Sequence, residues 1–149
     1  MRHCDGRLAA EDRKRHGCRL PYGRLHARTG DAVRIAVVAP FDEAVPPARY
    51  GGTERVVHYM AEQLVAWGHD VLLVAAGGSR TTGKLLHPIA KPLAEVPFSA
   101  EILTRKRDIA AAVTSMLRSA RVDLVHNHFR HLLEFADELR APLVTTVHY

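Results

Sequence analysis

The chain has 149 residues, 47% apolar and 25% charged, a balance that suits one globular domain with a buried core. No apolar run approaches the roughly 18 residues of a membrane-spanning helix, so no transmembrane segment is expected. The net charge of +5 is uneven: residues 1–33 hold eight Lys/Arg against four Asp/Glu, and residues 34–149 hold thirteen against twelve. The main body is therefore close to neutral, which argues against a nucleic-acid-binding surface.

Residues 1–33 have no apolar stretch longer than Leu8–Ala10. A secretory signal needs a continuous apolar region, and a transit peptide would be poor in acids, unlike a segment with Asp5, Glu11, Asp12 and Asp31. The expectation is a basic, disordered extension, or a start upstream of the native one. Both cysteines, Cys4 and Cys18, lie here. With His3 and His16 they form His-Cys and His-x-Cys pairs rather than the Cys-x-x-Cys of zinc modules, so free thiols are expected and no metal.

The folded part is read as residues 34–149. Arg34–Ala39 (RIAVVA) is short, β-branched and stopped by Pro40, as in a buried strand. Phe41–Tyr50 is a loop of ten residues containing Pro46-Pro47, longer than the about two to six usual between a strand and a helix. Gly51-Gly52-Thr53 then opens a helix whose apolar face is Val56, Val57, Met60, Ala61, Leu64 and Val65, ending near Gly68. Val71–Ala75 is a second strand, Lys84–His87 a short third one, and prolines 88, 92 and 97 keep the next stretch irregular. Residues 100–120 give a long amphipathic helix with a stripe of Ile102/Leu103, Ile109/Ala110, Val113 and Met116/Leu117. VDLVH is a further strand, Phe129–Leu139 a short helix with Phe129, Leu132, Leu133 and Ala136 on one face, and APLVTTVHY a last strand.

Strands that are continuous apolar runs, alternating with helices, indicate an α/β fold: a Rossmann-like parallel sheet with helices on both faces. Such sheets bind ligands outside the carboxyl ends of their strands. That edge should gather Gly51-Gly52 after the first strand, His126 and His128 at the end of VDLVH, and His148 at the end of the last strand.

Each of these features has two sides. Glycines at a helix N-terminus let a phosphate approach unpaired backbone N–H groups, or they merely permit a tight turn. The spacing is neither Gly-x-Gly-x-x-Gly nor a P-loop, so dinucleotide and nucleoside-triphosphatase sites are disfavoured. His126-Asn127-His128 puts two imidazoles on one side of an extended chain. They suit contact with a phosphate or hydroxyl, acid–base work near neutral pH, or a hydrogen-bonded structural role; two are too few to close a metal site. Arg105-Lys106-Arg107 reads as a solvated helix face.

The joint pattern of RIAVVAPF, PPARYGGTERVVHYMAEQLVAWGHDVLL, DLVHNH and TTVHY resembles the opening of family 4 glycosyltransferases over residues 34–149. The resemblance implies the amino-terminal, acceptor-side half of a GT-B fold, incomplete here. It implies retaining transfer of a sugar from a nucleotide diphosphate-sugar co-substrate to a sugar or lipid-linked alcohol, with no metal and no bound cofactor. By the same resemblance Gly51, Gly52 and Thr53 face the donor diphosphate. His128 lies near the reacting sugar, and His126 and His148 line the cleft. The family's carboxyl-terminal domain, with its Glu-x7-Glu motif, is absent from these residues, so a donor-binding domain in trans is a possible partner. A chain acting alone would be inactive, or would be a degenerate, non-catalytic domain for a sugar phosphate or a partner subunit. Glu54 and Glu62 share the Glu-x7-Glu spacing, but on the first helix and without the required glycine loop, so no role follows. The family also implies a cytoplasmic site, peripheral to the inner membrane face.

Overall fold

The computed structural model describes residues 32–95 and 101–148. The basic extension expected over 1–33, with its two cysteines, lies outside the described residues up to position 31. Five parallel strands form one sheet in the order β3-β2-β1-β4-β5. They are β1 (Arg34–Val38), β2 (Asp70–Val74), β3 (Lys84–Leu86), β4 (Leu124–Asn127) and β5 (Leu143–Thr145). Two α-helices, α1 (Gly52–Ala66) and α2 (Ile102–Ala120), a short 3-10 turn over Leu93–Glu95 and a 3-10 segment over Arg130–Glu138 complete the described fold.

Alternation along the central strands builds two cores. Ile35, Val37, Val71 and Leu73 point toward α1 and meet Val57 and Ala61. Ala36, Val38, Val74 and Val125 point the other way, onto Ile109, Ala110, Val113 and Leu117 of α2 and onto Phe129 and Leu132. Both faces of the sheet are thus covered, which is why its strands read as unbroken apolar runs. The order reverses direction between β1 and β4, and the carboxyl ends of those two strands flank the crevice where such sheets bind ligands.

α1 ends in a Schellman motif. Gly68 takes φ +93°, its N–H donates to Val65 O (2.9 Å), and His69 N–H donates to Leu64 O (3.1 Å). The ten-residue loop after β1 is pinned rather than loose. Phe41 and Val45 are fully buried, and Val45 N–H donates to Ser79 Oγ (2.9 Å).

Four expectations need correction. Val56 is 50% exposed and leaves the buried face of α1, while Glu54 joins it. On α2 Leu103 turns to solvent, and Thr114 takes a buried place because its hydroxyl donates to Ala110 O (2.9 Å). The Phe129–Leu139 helix is a run of 3-10 turns broken at Phe135 (φ −116°, ψ 15°). Its buried side follows period three, through Phe129, Leu132 and Phe135, so Leu133 faces outward. The last strand is only three residues long, because it pairs with β4 alone and β4 stops at Asn127. Among the described residues no helix is long and apolar enough to cross a membrane.

Candidate functional site

A cleft of about 430 Å³ opens at the carboxyl edge of the sheet. Its walls come from Pro40 and Asp42 after β1, Thr53 and Glu54 in the first turn of α1, and Lys106 on α2. His128 and Phe129 after β4 and Thr145–His148 from the end of β5 onward also line it. Backbone pairing continues past the strands and sets these positions: His128 N–H donates to Val38 O (2.9 Å), and Thr146 N–H donates to Asn127 O (2.9 Å).

Asn127 is the clamp under the histidines. It has no exposed surface, its Oδ1 accepts from Phe129 N–H (2.9 Å), and its Nδ2 donates to Thr145 Oγ1 (3.2 Å). One buried amide thus fixes both the turn out of β4 and the spacing to β5. The alternation that buries Asn127 on the α2 side puts His126 and His128 together on the other side.

The three histidines form a stack. The rings of His126 and His128 have centroids 4.6 Å apart, and those of His128 and His148 5.0 Å apart. His128 Nδ1 lies 2.7 Å from His148 Nε2, so a single proton is shared along that line. His126 Nε2 meets Thr146 Oγ1 at 2.9 Å. Burial, and then the neighbouring imidazoles His126 and His148, push His128 down to about 4. His126 is also lowered, by burial and then by His148. His128 is therefore neutral at pH 7 and offers a hydrogen bond rather than a positive charge. Its Nε2 is buried with no protein partner.

The glycine pair divides. Gly51 is buried with φ +142°, and a Cβ there would lie 2.7 Å from Pro47 Cβ and 3.0 Å from Glu54 Oε2. Its lack of a side chain is required by the turn itself. Gly52 has nothing within 4 Å of its Cβ position, so a ligand can approach that backbone. Thr53 lines the cleft directly.

The sequence-derived residues Thr53, His128 and His148 meet in the cleft, with His126 stacked on His128; Gly51, Gly52 and His126 do not line it. Sequence reasoning missed two charged groups. Glu54 is 6% exposed yet lines the cleft, and burial outweighs its own backbone N–H in raising its carboxyl above the usual range. Lys106 was read as part of a solvated face, but its Nζ lies 2.8 Å from Asp42 Oδ1 at the cleft wall. Nothing in the local pattern marks that contact, which spans 64 positions. Glu62 turns elsewhere: its carboxylate accepts from Thr81 Oγ1 (2.7 Å) and Thr82 N–H (3.0 Å), tying α1 to the loop before β3.

A family model described as Glycosyltransferase Family 4 matches residues 50–149. Among solved structures, the chain is similar to AviGT4, described as a glycosyltransferase involved in avilamycin A biosynthesis. The TM-score is 0.56 and the identity 25%, over 78% of this chain and 32% of that one. The chain thus spans about a third of the length of that neighbour. No curated protein matches the chain.

Proposed function

The chain belongs to glycosyltransferase family 4, and on that premise we propose that it supplies the acceptor-side wall of a retaining nucleotide-sugar glycosyltransferase. The donor is a nucleotide diphosphate-sugar and the acceptor an alcohol on a sugar or lipid-linked carrier. The observation that carries this reading is one cleft holding both the first turn of α1 and the His128–His148 pair.

The chemistry follows from the parts. The first turn of α1 carries the positive end of the helix dipole, and open space at Gly52 lets a departing diphosphate reach its backbone. Neutral His128 is suited to a sugar hydroxyl, held in one tautomer by His148. The buried Glu54 carboxyl is a hydrogen-bond partner for the acceptor alcohol. Positioning and stabilisation of the leaving diphosphate then do most of the work. The larger share of the nucleotide would be held by a second domain, in the same polypeptide or in trans. A cytoplasmic place is part of the same reading.

The test is transfer of radiolabelled sugar from UDP-, GDP- and ADP-sugars to polyol and lipid acceptors. The protein is the native complex isolated through a tag on this chain, with His128→Ala beside it. Turnover falling about 100-fold or more in a normally folded His128→Ala is the expected result. Transfer that is indifferent to His128 refutes its role. A second reading, a non-catalytic domain for a sugar phosphate, needs only the cleft between the first turn of α1 and His128. It predicts saturable binding and no transfer.

A further inference from the structure

At the opposite edge of the sheet from the cleft, a second depression of about 460 Å³ lies between the C-terminal half of α2 and the chain around Glu138–Arg140. Arg118, Arg121 and Arg140 line it with the hydroxyl-bearing Ser115 and Ser119 and one carboxylate, Glu138. Three guanidiniums against one carboxylate leave a net positive hollow. It exists because Ala111 and Ser115 are small residues on an otherwise exposed flank of the helix.

The usual reason for arginine at a helix end is the negative end of the dipole, and Arg118 in the last turn of α2 meets that need. Arg121, the next residue after the helix, lies at the same end, but Arg140 comes from another segment and the dipole does not account for it. The last carbonyl of the helix, Ala120 O, already accepts from Arg34 Nη1 (3.2 Å). Neither Arg121 nor Arg140 enters an ion pair among the described residues, and Arg118 reaches Glu138 only at 3.8 Å. Arg121 also stands in the left-handed region (φ 51°, ψ 57°), at the helix-ending position that ordinarily takes glycine or asparagine. A long cationic side chain thus occupies a disfavoured backbone where glycine would relieve it.

We propose that this depression is a binding site for a phosphate group, held by Arg118, Arg121 and Arg140 with the hydroxyls of Ser115 and Ser119. Guanidinium forks match phosphate oxygens bidentately, and serine hydroxyls complete the shell. The phosphate could belong to a soluble metabolite or to a lipid headgroup. The apolar slot beside the same three arginines, between Leu117, Val122 and Leu139, measures only about 50 Å³, too little for an acyl chain. A soluble phosphate is therefore the expected source. The site is independent of the sugar-transfer reading.

The experiment is an amide-resolved NMR titration of the 149-residue chain with inorganic phosphate, against chloride at matched ionic strength. Saturable shifts are expected at Ser115–Arg121 and Glu138–Arg140, apart from any at Thr53 and His128. Arg121→Gly removes one guanidinium while supplying the residue that the backbone prefers, so it should fold at least as well. Its phosphate affinity should drop by about tenfold. A second arm measures co-sedimentation with phosphatidylglycerol and with phosphatidylcholine vesicles. Phosphate binding without co-sedimentation assigns a soluble ligand. Co-sedimentation with phosphatidylglycerol alone, competed by phosphate and weakened in Arg121→Gly, assigns a headgroup. No binding in either arm, or binding unchanged in a folded Arg121→Gly, overturns the proposal.

Discussion

The depressed pKa of His128 makes a quantitative claim about stability. The group falls from 6.5 to about 4 on folding. The folded state therefore resists a proton that the unfolded chain accepts. A depressed group contributes stability that is fully present above the unfolded value and is lost as pH falls through the folded one. The window is thus pH 6.5 down to 4. Each pKa unit is worth about 1.4 kcal/mol, so acidification from pH 7 to pH 4.5 should cost about 2 kcal/mol through this one side chain. The assay is urea unfolding at both pH values for the native chain and for His128→Phe, which keeps an aromatic ring in the stack and removes the titration. Titrating groups away from the stack cancel in the difference. The native chain should lose about 2 kcal/mol more than the variant. Equal losses, or an NMR titration of His128 near pH 6, would refute the claim that burial and its two imidazole neighbours hold this ring neutral.

The glycine pair should separate by experiment. Gly51→Ala, at φ +142° and against Pro47, is expected to destabilise the chain by about 1–3 kcal/mol in urea unfolding. Gly52→Ala should stay within about 0.5 kcal/mol while weakening diphosphate binding; equal destabilisation of the two would contradict the geometry. Asn127→Ala orphans the buried Phe129 N–H and is expected to cost about 2 kcal/mol by denaturant titration. Glu54 has a raised pKa, so Glu54→Gln should melt no lower than the native chain at pH 8, with an advantage that shrinks toward pH 4.5; an advantage that grows on acidification would reverse the assigned sign.

Much of this protein was legible in one dimension. Buried parallel strands announce themselves as runs such as RIAVV, because burial on both faces removes the need for polar alternation. The parallel topology then sends every strand's carboxyl end to one edge, so the histidines after β4 and β5 had to approach the first turn of α1. Local chemistry also showed where α1 stops, since Gly68 supplies the positive φ of its cap. Tertiary structure decided the rest. Both Gly51 and Gly52 invite the same ligand in the sequence, but only contact with Pro47 reveals that the first serves the turn and leaves the second open. Lys106 and Asp42 are distant in sequence, and only packing of α2 on the sheet brings their charges together. Glu54 was passed over because spacing says nothing of burial, and burial is what raises its pKa. Periodicity records which residues must avoid water; which polar groups then meet is set by the packing that follows.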